Sequence, residues 1–209
     1  MIKIAKITGL SAEEAFASLA PVQLACCNWP EQYHYSPQVA FRMYHTGKRL
    51  MLRFDVAERH TAAKVTKDNG EVWTDSCVEF FIAPDNSMYY NFETNCIGTV
   101  LLGAHKSRDE AEHASAEVLS HIGRETSLPK GEAIELAEGD NRWSLTLSIP
   151  PTALFKHDIS DWSGVGARMN LYKCGDNLPV PHFLSWQPID TPTPDFHRPE
   201  FFADVIFEE

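Results

Sequence analysis

The sequence predicts an all-β fold, an antiparallel β-sandwich of immunoglobulin or jelly-roll type with a few short helices. Two observations carry that prediction. Apolar residues alternate with polar ones in stretch after stretch, at 50–56, 78–82, 90–94 and 143–149, which is the period of a strand with one buried face. The 13 prolines and 11 glycines are scattered between these stretches, as expected where many short strands are joined by turns. A chain of 209 residues suits one domain over 1–209, because sandwiches often exceed 200 residues undivided.

In chain order, 11–19 is compatible with a short helix, with Ser11 as its cap and Glu14 at capping-box spacing. A strand over 41–45 passes through the turn Thr46-Gly47-Lys48 into a second, in which Leu50, Leu52, Phe54 and Val56 share a face. The hairpin over 78–95 permits a register argument. Pairing Ile82 with Tyr90 and Phe80 with Phe92 keeps apolar residues together; a one-residue slip would mix them with Asn91 and Glu93. That register leaves Asp85-Asn86-Ser87 as a three-residue loop, and it places Glu79, Phe81, Asn91, Glu93 and Asn95 on the opposite face. Residues 106–131 read as a long polar loop with a helical turn. Strands follow at 143–149, which Pro150-Pro151 ends, and at 165–172, 183–186 and 203–207, with a helical turn at 152–155.

Composition excludes several function classes. The net charge of −11 disfavours nucleic acid, whose phosphates need a basic surface. No apolar run approaches the ~20 residues of a membrane span. The opening residues lack a signal-peptide apolar block, so the sequence as written reads as cytoplasmic, with a secreted or periplasmic location as the alternative for a mature form. Five cysteines, two of them adjacent and none in CxxC spacing, do not form a disulfide framework; Cys77 and Cys96 read as small buried apolar residues. Dinucleotide, phosphate-loop, zinc-protease and hydrolase-elbow motifs are absent, and the nine histidines show no ligand spacing. No catalytic residue is nominated.

Glu79 and Glu93 fall directly opposite each other in the favoured register. Like charges so placed are destabilising unless offset, and a sugar diol, Arg42, Arg53 or a cation would serve. An aromatic plate beside such groups suits a pyranose, which has an apolar C–H face and a rim of hydroxyls.

The segment from Trp73 through Asp75 to Val78-Glu79-Phe80, the run Tyr90 to Asn95 with Gly98, the strand from Trp143 to Pro150, and Leu184-Ser185-Trp186 followed by Phe196 to Phe202 together resemble the family 9 carbohydrate-binding modules, over about 40–207. That resemblance implies a β-sandwich that binds a mono- or oligosaccharide, with Trp73 and Trp186 clamping the sugar ring. It implies that Glu79 takes sugar hydroxyls and that Asn91 or Asn95, with Glu93 nearby, supplies polar contacts. It implies no required cofactor, structural calcium in some members, and a partner glycoside hydrolase acting on xylan-type polysaccharide. Two other readings stand beside it: a glycoside hydrolase using Glu79 and Glu93 as its carboxyl pair, and an interaction or scaffold domain whose groove is filled by a side chain from 106–131.

Overall fold

A computed structural model describes all residues, 1–209. Fourteen strands form a nine-stranded and a five-stranded sheet that pack face to face. They are β1 (Ile2–Ile4), β2 (Val22–Gln23), β3 (Cys26–Cys27), β4 (Gln38–His45), β5 (Leu50–Ala63), β6 (Cys77–Ala83), β7 (Tyr89–Asn95), β8 (Val100–Ser107), β9 (Glu110–His113), β10 (Gly123–Thr126), β11 (Ile134–Ile149), β12 (Gly166–Cys174), β13 (Phe183–Ser185) and β14 (Ala203–Phe207). The long sheet runs β1-β14-β12-β6-β7-β8-β9, with β13 and β3 branching from β12; the short sheet runs β10-β11-β5-β4-β2.

The alternation read in the sequence builds the main core. Leu50, Leu52, Phe54 and Val56 of β5 and Trp143, Leu145, Leu147 and Ile149 of β11 face Val78, Phe80, Ile82, Tyr90 and Phe92 of the long sheet. The β6–β7 register is the one expected, with Phe80 opposite Phe92, Ile82 opposite Tyr90, and Glu79 opposite Glu93. Its turn is longer than expected. The strands end at Ala83 and Tyr89, so five residues, not three, make the loop. Pro84 has no N–H to extend the ladder, and Asp85 Oδ1 instead accepts from Ser87 N at 2.7 Å. The helix at Ala12–Ser18 has the expected Ser11/Glu14 capping box.

The loop expected at 106–131 is mostly structured. β8 continues to Ser107 and turns into β9, and β10 pairs with β11. β9 is exposed throughout and backbone-held, so no apolar alternation announced it. No helix is long and apolar enough to cross a membrane.

The long sheet is buried on both faces. Its outer face carries a second cluster, in which Phe81, Tyr89, Tyr172 and Leu101 pack under Trp29, Ile189, Phe196 and Phe202. This aromatic layer covers part of the face. The uncovered part is a groove.

Candidate functional site

The groove encloses about 570 Å³, within the range of roughly 300–1,000 Å³ typical of small-molecule sites. Its floor is the outer face of β6, β7 and β8, where the strand period places Glu79, Asn91, Glu93, Leu101 and His105 side by side. Trp73, Glu71 and Asp176 border it together, the Asp176 amide donating to the Trp73 carbonyl at 3.2 Å, and Phe183 also lines it. Residues from Arg108 to His113 and from Pro194 to His197 close the remaining sides. A second depression of about 450 Å³ lies on the outside of the short sheet, but its only ring, that of Trp143, is buried in the core.

Asn91 is locked by its neighbours. Its Oδ1 accepts from Gly103 N at 2.8 Å and lies 3.0 Å from His105 Nε2, while its Nδ2 donates to Glu93 Oε1 at 2.7 Å. Gly103 is required here, since a Cβ would sit 2.7 Å from both Asn91 Oδ1 and His105 Nε2. Glu93 is 4% exposed, and its other oxygen, Oε2, has no hydrogen-bond partner. Glu79 accepts from Cys174 Sγ at 3.0 Å.

Burial, and then the neighbouring Glu93 charge, push the Glu79 carboxyl well above its ordinary value. Burial raises Glu93 to about 7, opposed by the Asn91 bond. Burial likewise raises Asp176 to about 6. His105 is lowered by burial, and His197 falls to about 3 through burial and the neighbouring His105, so both imidazoles are neutral near pH 7. The floor thus combines acidic groups that resist ionisation with neutral rings, a set that can both donate to and accept from hydroxyl groups.

Neither Arg42 nor Arg53 offsets the glutamate pair. Both guanidinium groups pair with Asp55 on the short sheet, at 2.6 and 3.0 Å, because β4 and β5 direct them to the opposite side of the sandwich.

The structure brings Trp73, Glu79, Asn91 and Glu93 together and leaves Asn95 and Trp186 outside. Asn95 spends its side chain on loops: Nδ2 donates to Val65 O and to Asp75 Oδ2, and Oδ1 accepts from Thr99 N. Asp75 in turn accepts from the Lys64 and Val65 amides. This node fixes the 3-10 turn Val72–Thr74 that presents Trp73. Trp186 follows β13, whose alternation sends Leu184 inward to the main core and Phe183 outward to the groove. The same alternation sends Trp186 inward, where its ring meets the edge of Phe41 with centroids 5.6 Å apart. Phe183 is the groove's aromatic on that strand, and Asp176, His105, Phe196 and His197 also line it. Sequence patterning carries no signal for these residues as ligand contacts; Phe196 and His197 enter the sequence reading only within the Phe196–Phe202 stretch that carries the family resemblance.

One cluster has metal-ligand proximity: Cys77, Glu79 and Cys174, whose ligand atoms lie within 4.8 Å of one another. Two thiols and one carboxylate do not fit calcium, which takes six to eight oxygens.

A family model described as carbohydrate-binding family 9 matches residues 11–207. A crystal structure of a "putative carbohydrate-binding protein" from Bacteroides uniformis is 38% identical, with TM-score 0.90 over 99% of this chain and 97% of that one. Two structures of a family 9 carbohydrate-binding module from Caldicellulosiruptor kristjanssonii share the fold. The complex with glucose is 9% identical with TM-score 0.62, covering 99% of this chain and 95% of that one. The complex with cellotriose is 8% identical with TM-score 0.61, covering 99% and 93%. No curated protein matches the chain.

Proposed function

The chain belongs to carbohydrate-binding family 9, and from that premise we propose that the groove on the long sheet is its sugar site. Its function is non-catalytic carbohydrate binding. Trp73 covers the apolar face of a pyranose, and Phe183 adds a second ring to the groove lining. Glu79, Glu93 and Asn91 on the floor bond its hydroxyls. The observation that carries the assignment is the unpartnered, buried Glu93 Oε2 beside Glu79 in a groove with an aromatic wall. A buried polar atom without a partner is costly, and a sugar hydroxyl supplies the missing donor.

Family membership favours binding over hydrolysis. The Cys77–Glu79–Cys174 donor set suits a softer ion than calcium. A glycoside hydrolase acting on the same polysaccharide is the partner class that the proposal implies.

Tryptophan fluorescence or calorimetric titration with glucose and cello-oligosaccharides tests it, on the parent protein, Trp73→Ala and Trp186→Ala. An aromatic contact is worth about 0.5–1.5 kcal/mol beyond its area, so Trp73→Ala should weaken binding by roughly threefold to more than tenfold. Trp186→Ala should leave affinity within about twofold. No binding by the parent protein, or loss only in Trp186→Ala, overturns the site.

A further inference from the structure

The chain leaves the groove's carboxyl pair without a cation. Elsewhere buried or half-buried acids have a cation or amide donors: Glu58 has Lys173 at 2.9 Å, Asp55 has Arg42, Asp68 has Arg124 at 2.7 Å, and Asp75 has the Lys64 and Val65 amides. Around Glu79 and Glu93 the further charged groups are mostly of the same sign, Glu71, Asp109, Asp176 and Asp195. Arg108, the one guanidinium at the rim, lies 3.5 Å from Asp195. The nearest lysine, Lys173, points through the other face of the sheet, where Glu58, His182 and the Cys174 carbonyl take its three donors. His105 and His197 are neutral. The Glu93 Oε2 atom is buried and unpartnered, and Glu93 lines this acidic space.

A neutral hydroxyl brings one proton to such a pair. An ammonium brings three donors and the missing charge, and charge-assisted bonds are roughly twice as strong as neutral ones. Resting on the sugar site proposed above, we infer that the groove selects a pyranose bearing a free, protonated amino group, with the ammonium seated between Glu79 and Glu93 and the ring against Trp73.

Parallel titrations of the full chain near neutral pH with glucosamine, glucose and N-acetylglucosamine test the inference. Glucosamine should bind at least tenfold more tightly than glucose, and N-acetylglucosamine no more tightly than glucose, because acetylation removes the charge. In Glu93→Gln, and independently in Glu79→Gln, the glucosamine-to-glucose ratio should collapse to within about twofold. Glucose bound as tightly as glucosamine overturns the amino-sugar inference and leaves the sugar site standing. N-acetylglucosamine matching glucosamine, or a ratio preserved in both variants, also overturns it. Failure of all three sugars to bind removes the site itself.

Discussion

The sandwich buries carboxylates in two places and treats them oppositely. Between the sheets, Glu58 of β5 meets Lys173 of β12, both fully buried. Its second oxygen accepts from Trp143 Nε1 at 2.7 Å and Thr61 Oγ1 at 3.0 Å. His182 completes the cluster. Its Nε2 lies 2.8 Å from Lys173 Nζ and its Nδ1 3.1 Å from the Val180 carbonyl, so the ring accepts on one side and donates on the other. Burial and Lys173 hold it near 3, hence neutral. Across β6 and β7, on the outer face of the same sheet, Glu79 and Glu93 oppose each other with no cation and with an unpartnered oxygen. A pair that carries its own counter-charge needs none from a ligand. One without a counter-charge stores a cost that a ligand relieves. The contrast teaches which buried acid holds the fold and which holds the function.

The largest break in this comparison should come from Lys173→Met. It strands the Glu58 charge in the core, and removing one partner of a buried pair costs about 3–5 kcal/mol. Urea denaturation would measure it; a loss under about 1 kcal/mol would mean that the cluster is not the fold's anchor.

The pH dependence sharpens the contrast through its sign. Burial alone would raise Glu58, but Lys173 together with the bonds from Trp143 and others holds it below its ordinary value. Its stabilisation is therefore present above 4.5 and lost as pH falls through the lower folded value. Glu93 is the reverse: raised from 4.5 to about 7, it favours the fold fully below 4.5 and loses that advantage as pH rises through 7. Ligand-free stability should thus decline between about pH 4.5 and 7.5 on account of the groove, and fall in acid on account of Glu58. Denaturation midpoints across pH, in the parent and in Glu93→Gln, would show whether the first slope disappears with the carboxyl.

A smaller effect is expected from Gly103→Ala. The added methyl meets Asn91 and His105 at 2.7 Å, so Asn91 must release Glu93. A cost of about 1–3 kcal/mol in stability follows from overpacking, together with weaker sugar binding; unchanged affinity would separate Asn91 from the site.

Much of this was legible in the sequence, and for definite reasons. The β6–β7 hairpin could be placed to the residue because Phe80, Ile82, Tyr90 and Phe92 are all fully buried, and a slip would bury Asn91 and Glu93 in the main core. The opposition of Glu79 and Glu93 came with that register. Trp186 was harder to place, since its direction depends on β13, a three-residue strand too short to show alternation. The β9 wall of the groove is polar and exposed and gave no periodic signal. The Glu58–Lys173–His182 cluster joins three distant segments, and Lys173 sits in text where a lysine reads as a surface residue. Contacts of that kind are set by the packing of two sheets rather than by local pattern.

Glu93→Gln tests the central claim most directly, because it keeps the shape and removes the charge. Measured at about pH 8, the ligand-free variant should be more stable than the parent by roughly 1–3 kcal/mol, while its affinity for sugar falls by about tenfold or more. A variant that is destabilised, or that binds sugar as the parent does, would contradict the reading of this pair as an acid site kept open for a ligand.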